Sequence, residues 1–304
     1  TSRIVLNSLG IDDYGIYNVV GGMVAMFSLL SNSLSTAISR YLTFELGKEN
    51  IDKLRTIFSS SVVIQTGLAL FILLLVEIFG ICFLNLYINI PAGRLEAAHW
   101  ALQCSAITFA VGLISIPYNA TIIAHEKMVF FAYISILEQV LKLIVAYLLY
   151  ISPFDKLKIY AFLLVIVSIL IRAIYGMYCK RQFEECNGKI IIDKSFIRQM
   201  VDFAGWNFLG AGSGVLMTQG VNILMNLFFT VAVNAARGVA TQIEGVVMSF
   251  VNNFTTAINP QITKSYASGD REYLFQLIHR GSKYSFFLVL FFALPILLET
   301  ETIL

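Results

Sequence analysis

Charged residues divide the chain into long apolar stretches. A helix that crosses a membrane needs about 20 mostly apolar residues. The uncharged stretch 203–236 is too long for one helix, so we divide this region between two. The pattern predicts an all-α, polytopic membrane protein, with residues 1–9 as the end of an earlier helix. The predicted spans are 15–40, 58–84, 99–124, 128–151, 159–179, 203–229, 234–258 and 284–304, the last of them cut short.

The composition agrees with this pattern. Of the 304 residues, 58% are hydrophobic and 13% are charged, and the mean hydropathy is +0.77. A soluble domain is about 45–50% apolar and about 25% charged, so a soluble enzyme, a disordered protein and a nucleic-acid-binding protein are disfavoured. The cysteines and histidines lack metal-ligand spacing, and the sequence has no phosphate-binding glycine loop. We therefore expect no enzymatic activity, no metal, no cofactor and no nucleic-acid partner.

Lysine and arginine are unevenly distributed between the loops. Fourteen lie in one set of loops and five in the alternate set, and loops rich in these residues stay in the cytoplasm. The predicted cytoplasmic loops lie near 40–57, 125–127, 180–200 and 260–283. Two amphipathic stretches in them, 51–58 and 274–278, fit either helices at the membrane surface or the first turns of the next spans.

The chain matches itself at an offset of 220 positions. Both copies are a span that ends in a basic, amphipathic loop, and five spans begin between them, so the repeat unit is predicted to be six helices. Parallel halves of this kind are typical of transporters. We predict an N-terminal bundle over 1–182, a linker over 183–200 and the start of a second bundle over 201–304. The identical pairs are Val19/Val239, Asn32/Asn252, Thr36/Thr256, Ala37/Ala257, Ile38/Ile258, Thr43/Thr263 and Leu54/Leu274.

Three predicted spans, 15–40, 203–229 and 234–258, carry stripes of small and polar residues. Close packing between helices explains the glycines and serines, whereas the larger polar groups favour a water-filled cavity. Arg237 and Glu244 lie beside the stripe of the last span, and charges within a membrane are functional candidates. The candidate cavity residues are Asn18, Asn32, Asn207, Gln219, Asn222, Arg237, Thr241, Gln242, Glu244 and Asn252.

Glu138 and Lys142 form a second charged candidate in the middle of the span 128–151. Their i,i+4 spacing, with the acid first, favours a direct ion pair. The pair either neutralises itself within the bundle or takes part in ion coupling or substrate contact.

Several stretches resemble polysaccharide flippases of the multidrug/oligosaccharidyl-lipid/polysaccharide exporter superfamily. Leu9–Asn18 looks like the loop after the first helix of these proteins, and Arg3 stands where they often have an arginine. Ala235–Gln242 and Asn259–Asp270 resemble the equivalent stretches of the second half. The resemblance runs over essentially the whole chain and is closest to exporters of O-antigen, capsule or exopolysaccharide.

The resemblance implies twelve or more helices in two pseudo-symmetric six-helix bundles, of which this chain is a fragment without its first helix and its C-terminal helices. It also implies a central cavity formed by 1–9 and the three polar-striped spans. The function that it implies is to flip an undecaprenyl-diphosphate-linked oligosaccharide across the bacterial inner membrane by alternating access. Arg3 and Arg237 are then the candidates to bind the diphosphate. The implied partners are this lipid-linked oligosaccharide, membrane lipid, a polysaccharide polymerase and glycosyltransferases.

Two other functions remain open on the sequence. A multidrug or organic-cation antiporter on the same fold would need an acidic site, for which Glu244 and Glu138 are the deep candidates. A membrane scaffold in a polysaccharide synthesis complex would need no transport path.

Overall fold

The structure is a computed structural model that describes residues 2–86, 90, 92–151, 153, 155–188, 191–228 and 231–299. These residues form helices, turns and short connections without any strand, so the predicted all-α fold is confirmed. One π-helical turn, Val76–Gly80, and two 3-10 segments, Ala92–Arg94 and Glu184–Asn187, interrupt the α-helices. The α-helices are α1 Ser2–Leu9, α2 Ile11–Ala25, α3 Ser28–Gly47, α4 Ile51–Leu75, α5 Ile81–Leu86, α6 Leu95–Ala124, α7 Met128–Ile151, α8 Lys156–Gln182, α9 Lys194–Phe228, α10 Val231–Ser268 and α11 Arg271–Leu298.

In the described residues, every predicted span corresponds to a helix or to two consecutive α-helices, while the predicted ends at 229 and 300–304 lie outside them. The span 15–40 is broken by a turn at Met26 and Phe27 into α2 and α3. The two amphipathic stretches are not separate helices, because α4 begins at Ile51 and α11 at Arg271 and both continue into the apolar segment. They are therefore the first turns of the next spans.

Five helices in the described residues are long and apolar enough to cross a membrane. They confirm a multi-pass membrane protein. The three polar-striped spans are not among the five. The five segments are Ile51–Gly80, Leu95–Ala124, Met128–Tyr150, Lys156–Gln182 and Arg271–Leu298.

The four basic loops meet at one end of the helices, which we call the basic side. Arg55 lies 3.7 Å from Glu184, so the loops before α4 and after α8 are neighbours. Glu126, between α6 and α7, pairs with Lys264 near the end of α10. The predicted alternation of loops is therefore confirmed, and the assignment of the basic side to the cytoplasm stays a prediction.

The opposite side is held together by Arg94. Its guanidinium donates to both carboxylate oxygens of Asp13, at the start of α2, and to Asp155, 2.7 Å away, at the start of α8. The hydrogen bonds to Asp13 raise the pKa of Arg94 above its ordinary value. Lys158 and Glu96 add an ion pair of 2.6 Å between α8 and α6.

The internal repeat is visible in the backbone at the predicted offset. Both α3 and α10 are followed by a residue with positive φ and then by a side chain that caps the next helix. A side-chain oxygen that accepts from the third amide of a helix is an ordinary N-cap. The equivalent pairs are Glu49 (φ 55) and Gly269 (φ 82), the caps Asn50 and Asp270, and the capped amides of Lys53 and Tyr273.

Helix α3 connects the first eight helices to the last three. It packs against α4 and α6 on one side and against α9 and α10 on the other. Helix α6 is the centre of the first eight helices, with Ala98, Leu102 and Ile122 fully buried. In contrast, α11 has no buried residue. The division of the chain into two six-helix bundles stays a prediction.

Candidate functional site

A polar cleft lies between α3 and α10, in the half of each helix that ends on the basic side. Its volume is about 380 Å³. Among the residues that the structure describes, the lining contains hydroxyl groups, one amide and one cation, and no acidic residue. We call this site the α3–α10 cleft. Its lining residues are Ser35, Thr36, Ser39, Arg40, Thr43, Ile123, Thr256, Asn259, Pro260 and Thr263.

The two helices contribute equivalent residues of the internal repeat to the cleft. Four positions of α3 and the four positions 220 residues later on α10 all belong to the lining. Such a lining requires a local pseudo-twofold arrangement of α3 and α10 around the cleft. The four pairs are Thr36 and Thr256, Ser39 and Asn259, Arg40 and Pro260, and Thr43 and Thr263.

Helical spacing explains why these side chains share a face. Positions 36, 40 and 43 are separated by four and three residues, as positions on one helix face must be, and 256, 260 and 263 repeat this spacing. Each lining threonine donates its hydroxyl hydrogen to the carbonyl four residues earlier, over 2.7 to 3.0 Å. The hydroxyl lone pairs therefore remain available to accept hydrogen bonds from water or a ligand.

Arg40 supplies the positive charge of the cleft. Its guanidinium carbon lies 4.6 Å from the centre of the Phe203 ring on α9, within the range of a cation–π contact. Phe203 also packs edge-on against Tyr41. Because the ring contact leaves guanidinium N–H groups free to donate, Arg40 can bind an anion or several hydroxyl oxygens in the cleft.

A tight contact between α3 and α10 lies on the basic side of the cleft. A Cβ atom added to Gly47 would lie 2.7 Å from the Lys264 carbonyl oxygen and 2.8 Å from the Ala267 Cβ. Real Cβ atoms do not come this close to other atoms, so only glycine fits here. Gly47 and Ala267 are again one repeat apart, one turn beyond Thr43 and Thr263.

The predicted cavity residues Asn32 and Asn252 lie one turn from this cleft. Their backbone carbonyls accept the hydroxyl hydrogens of Thr36 and Thr256, at 3.0 and 2.7 Å. Both side chains are exposed. They occupy equivalent positions on the helix faces that form the cleft, but they are not among its lining residues.

Asn207 on α9 and Arg237 on α10 are half-buried. The amide nitrogen of Asn207 and the Nε of Arg237 are buried and lack a hydrogen-bond partner within the described part of the chain. A buried donor without a partner is costly, so both groups are suited to meet water or a ligand. Neither residue lines the α3–α10 cleft.

The other predicted cavity residues are not brought together by the described structure. Asn18, Gln242 and Glu244 are exposed, and Thr241 is half-buried with its hydroxyl donated to the Gly238 carbonyl over 3.0 Å. The side chains of Arg3, Gln219 and Asn222 lie outside the described residues. A role in a substrate cavity stays a prediction for all of the candidates.

Glu138 and Lys142 form the ion pair that their spacing predicts. The Lys142 ammonium lies 2.5 Å from the Glu138 carboxylate, and the two side chains are 37% and 33% exposed. The pair lies on α7, away from the α3–α10 cleft, and whether it only neutralises itself or takes part in ion coupling or substrate contact stays a prediction.

Comparison with known proteins adds a partial family match and a shared fold. The MatE family model matches residues 1–148. Over 98% of this chain, the structure is similar to a multidrug resistance MATE family transporter of the MOP superfamily in an outward-facing conformation, with a TM-score of 0.78 and 12% identity. The chain has the fold of a MATE transporter. It covers 67% of that protein's length.

Two further solved transporters have the same MATE fold. One is a MOP superfamily transporter from Pyrococcus furiosus, which is described as having a binding pocket of reverse polarity. It gives a TM-score of 0.77 at 13% identity, and the match covers 98% of this chain and 66% of that transporter. The MATE multidrug transporter DinF-BH gives a TM-score of 0.59 at 15% identity. The match covers 97% of this chain and 66% of that transporter. No curated protein sequence matches the chain.

The family model covers the first 148 of the 304 residues, and the solved structures are 12–15% identical to this chain, so the comparisons establish the fold. They do not single out the polysaccharide flippases among proteins with this fold. Members of the MATE family are transporters and not enzymes.

Proposed function

We propose that the protein is a secondary transporter that works by alternating access, with the α3–α10 cleft as part of the substrate path. The observation that carries the proposal is the lining of this cleft by repeat-equivalent residues of two helices. Transporters built from repeats bind their substrates at the repeat interface and move one repeat against the other. The close approach at Gly47 would then be the closed end of the path in this conformation.

The chemistry of the cleft favours a polar substrate without positive charge. Threonine and serine hydroxyls, with the Asn259 amide, can replace the water around sugar hydroxyls. Arg40 can bind phosphate oxygens through paired, charge-assisted hydrogen bonds, and the lining has no carboxylate to bind a cation. We therefore propose a lipid-linked oligosaccharide as the substrate, moved between the leaflets of a bacterial inner membrane, with Arg40 as the residue that binds its diphosphate in this cleft.

A multidrug or organic-cation antiporter is the second candidate. Two of the similar structures are multidrug transporters by name, so the comparisons support this candidate at least as well as the first. Its acidic site would be Glu244, whose exposed side chain lies on α10. Glu138 suits that role less, because its carboxylate is neutralised by Lys142.

Reconstitution of the full-length protein in lipid vesicles separates the two candidates. The probes are an undecaprenyl-diphosphate-linked oligosaccharide, followed by access of a lectin to its sugar, and a fluorescent organic cation, followed by its uptake. We expect movement of the oligosaccharide, reduced about tenfold or more by Arg40→Ala, because charge-assisted hydrogen bonds are worth about 1.5–3 kcal/mol each. Arg40→Lys should retain part of the activity, and Glu244→Gln should change little.

Uptake of the organic cation alone, lost in Glu244→Gln and unchanged in Arg40→Ala, would support the antiporter instead. Movement of neither probe, with vesicles shown to contain folded protein, would contradict both substrate assignments.

A further inference from the structure

The turn between α6 and α7 places a glutamate where a glycine is usual. After α6 ends, the amides of Glu126 and Lys127 donate to the carbonyls of Ile123 and Ile122, over 2.9 and 3.0 Å. This hydrogen-bond pattern requires a left-handed residue at the turn, normally glycine or asparagine. Glu126 takes this conformation with φ 59, although its Cβ atom disfavours it.

The Glu126 carboxylate contacts α10 with both of its oxygens. Lys264 donates to one oxygen over 2.6 Å, and the Gln261 amide donates to the other over 3.1 Å. Gln261 and Lys264 are three residues apart and so share one face of α10. These hydrogen bonds connect the turn between α6 and α7 to α10. None of the three residues lines the cleft.

Lys264 also takes part in the tight contact on the basic side of the α3–α10 cleft. Its backbone carbonyl is the atom that comes closest to a Cβ added at Gly47, while its ammonium binds Glu126. The rings of Phe44 and Tyr266 add a contact with centroids 6.5 Å apart. Movement of α10 away from α3 on the basic side would separate Lys264 from Gly47 and from Glu126 together.

We propose that Glu126, with Lys264 and Gln261, is a latch that stabilises the conformation in which the cleft is closed on the basic side. This inference rests on the proposed alternating access. The latch breaks when the cleft opens to the basic side, so its loss shifts the population toward that open conformation. The two charged side chains are 32% and 27% exposed, so we expect a shift of about two- to fivefold, as for a partly solvated ion pair.

The test measures access to the cleft from each side of the membrane. In full-length protein without its native cysteines, Thr36→Cys provides a single thiol in the cleft. A membrane-impermeant maleimide is applied to right-side-out and to inverted vesicles. We expect Glu126→Gln to speed labelling from the basic side about two- to fivefold and to slow labelling from the opposite side.

Three further variants make the result specific. Glu49→Gln is the matched control, because Glu49 has nearly the same backbone conformation, φ 55, and an exposed side chain, and it should label like the unmodified protein. Glu126→Gly removes the carboxylate, and glycine adopts the left-handed conformation of this turn without strain. This variant should therefore fold normally and show the same change in labelling as Glu126→Gln. The exchange of charges, Glu126→Lys with Lys264→Glu, should restore the original labelling.

The outcomes separate the latch from the transport proposal. Labelling of the thiol from both sides, with Glu126→Gln and Glu126→Gly unchanged from Glu49→Gln, would overturn the latch and leave alternating access intact. If neither the unmodified protein nor any latch variant is labelled from the basic side, the cleft never opens there, and both proposals are wrong.

Discussion

Helix α3 and helix α10 are the same element of the repeat, yet they differ in shape and in charge. Where α2 and α3 are separated by the turn at Met26 and Phe27, α10 continues without a break through the equivalent Val246 and Val247. Where α3 has Arg40 in the cleft, α10 has Pro260. The end of each helix is nevertheless the same, with a positive φ and a capping side chain.

The comparison separates the positions that determine geometry from those that determine chemistry. The shared positions are the threonines, the caps and the closest approach at Gly47 and Ala267, and they hold the two helices in register around the cleft. The unshared position, Arg40 against Pro260, gives the cleft a cation on one wall. A ligand with an anionic end would therefore bind in one orientation, although its surroundings are nearly twofold.

The largest effect is expected from a change at the closest approach. Gly47→Leu would place a side chain against the Lys264 backbone and should prevent closure on the basic side, because forced overpacking costs about 1–3 kcal/mol. We expect labelling of Thr36→Cys from the basic side to rise about tenfold or more, with transport lost. Gly67→Ala is the control, since a Cβ atom added at Gly67 meets nothing within 4 Å. If Gly47→Leu left the labelling from the basic side unchanged, the contact at Gly47 would not limit how closely α3 and α10 approach each other.

A smaller effect is expected from the paired threonines. Thr36→Val and Thr256→Val keep the shape of the side chain and remove one acceptor from each wall of the cleft. Since a hydrogen bond contributes about 0.5–1.5 kcal/mol, each change should slow transport about two- to tenfold, and by similar amounts. A strong effect of one change beside no effect of the other would show that the substrate touches only one wall. Initial rates with the reconstituted protein are the measurement.

Much of the fold could be predicted from the sequence, because the cost of burying charge in lipid limits most charged residues to the loops and helix ends. The turn at Met26 and Phe27 could not, since neither residue is glycine or proline and the run around them stays apolar. The π-helical turn at Val76–Gly80 is likewise not indicated by any feature of the local sequence. Such irregularities depend on contacts between helices that are distant in the sequence.

The candidate site could be predicted only in part. The identical pairs Thr36/Thr256 and Thr43/Thr263 indicate the repeat, but the sequence does not show that these residues line a cleft. Arg40 follows the uncharged stretch 14–39, so its position in the sequence indicates a loop residue and not a residue of the cleft. The importance of Gly47 depends wholly on a contact with α10, and nothing in its local sequence indicates it.

The smallest effect concerns the matched caps, and it tests whether the two copies remain equivalent in energy. Asn50 accepts from the Lys53 amide over 3.1 Å, and Asp270 accepts from the Tyr273 amide over 3.0 Å. Asn50→Ala and Asp270→Ala should each lower the free energy of unfolding by about 1 kcal/mol, the usual contribution of an N-cap. Thermal unfolding of the full-length protein in detergent is the measurement, with Asn50→Asp and Asp270→Asn as conservative controls. Because α4 contributes to the buried core whereas α11 has no buried residue in the described chain, a loss confined to Asn50→Ala would mean that the cap matters only where the helix is packed. Equal losses would show that the turn itself, and not the packing behind it, is the conserved unit of the repeat.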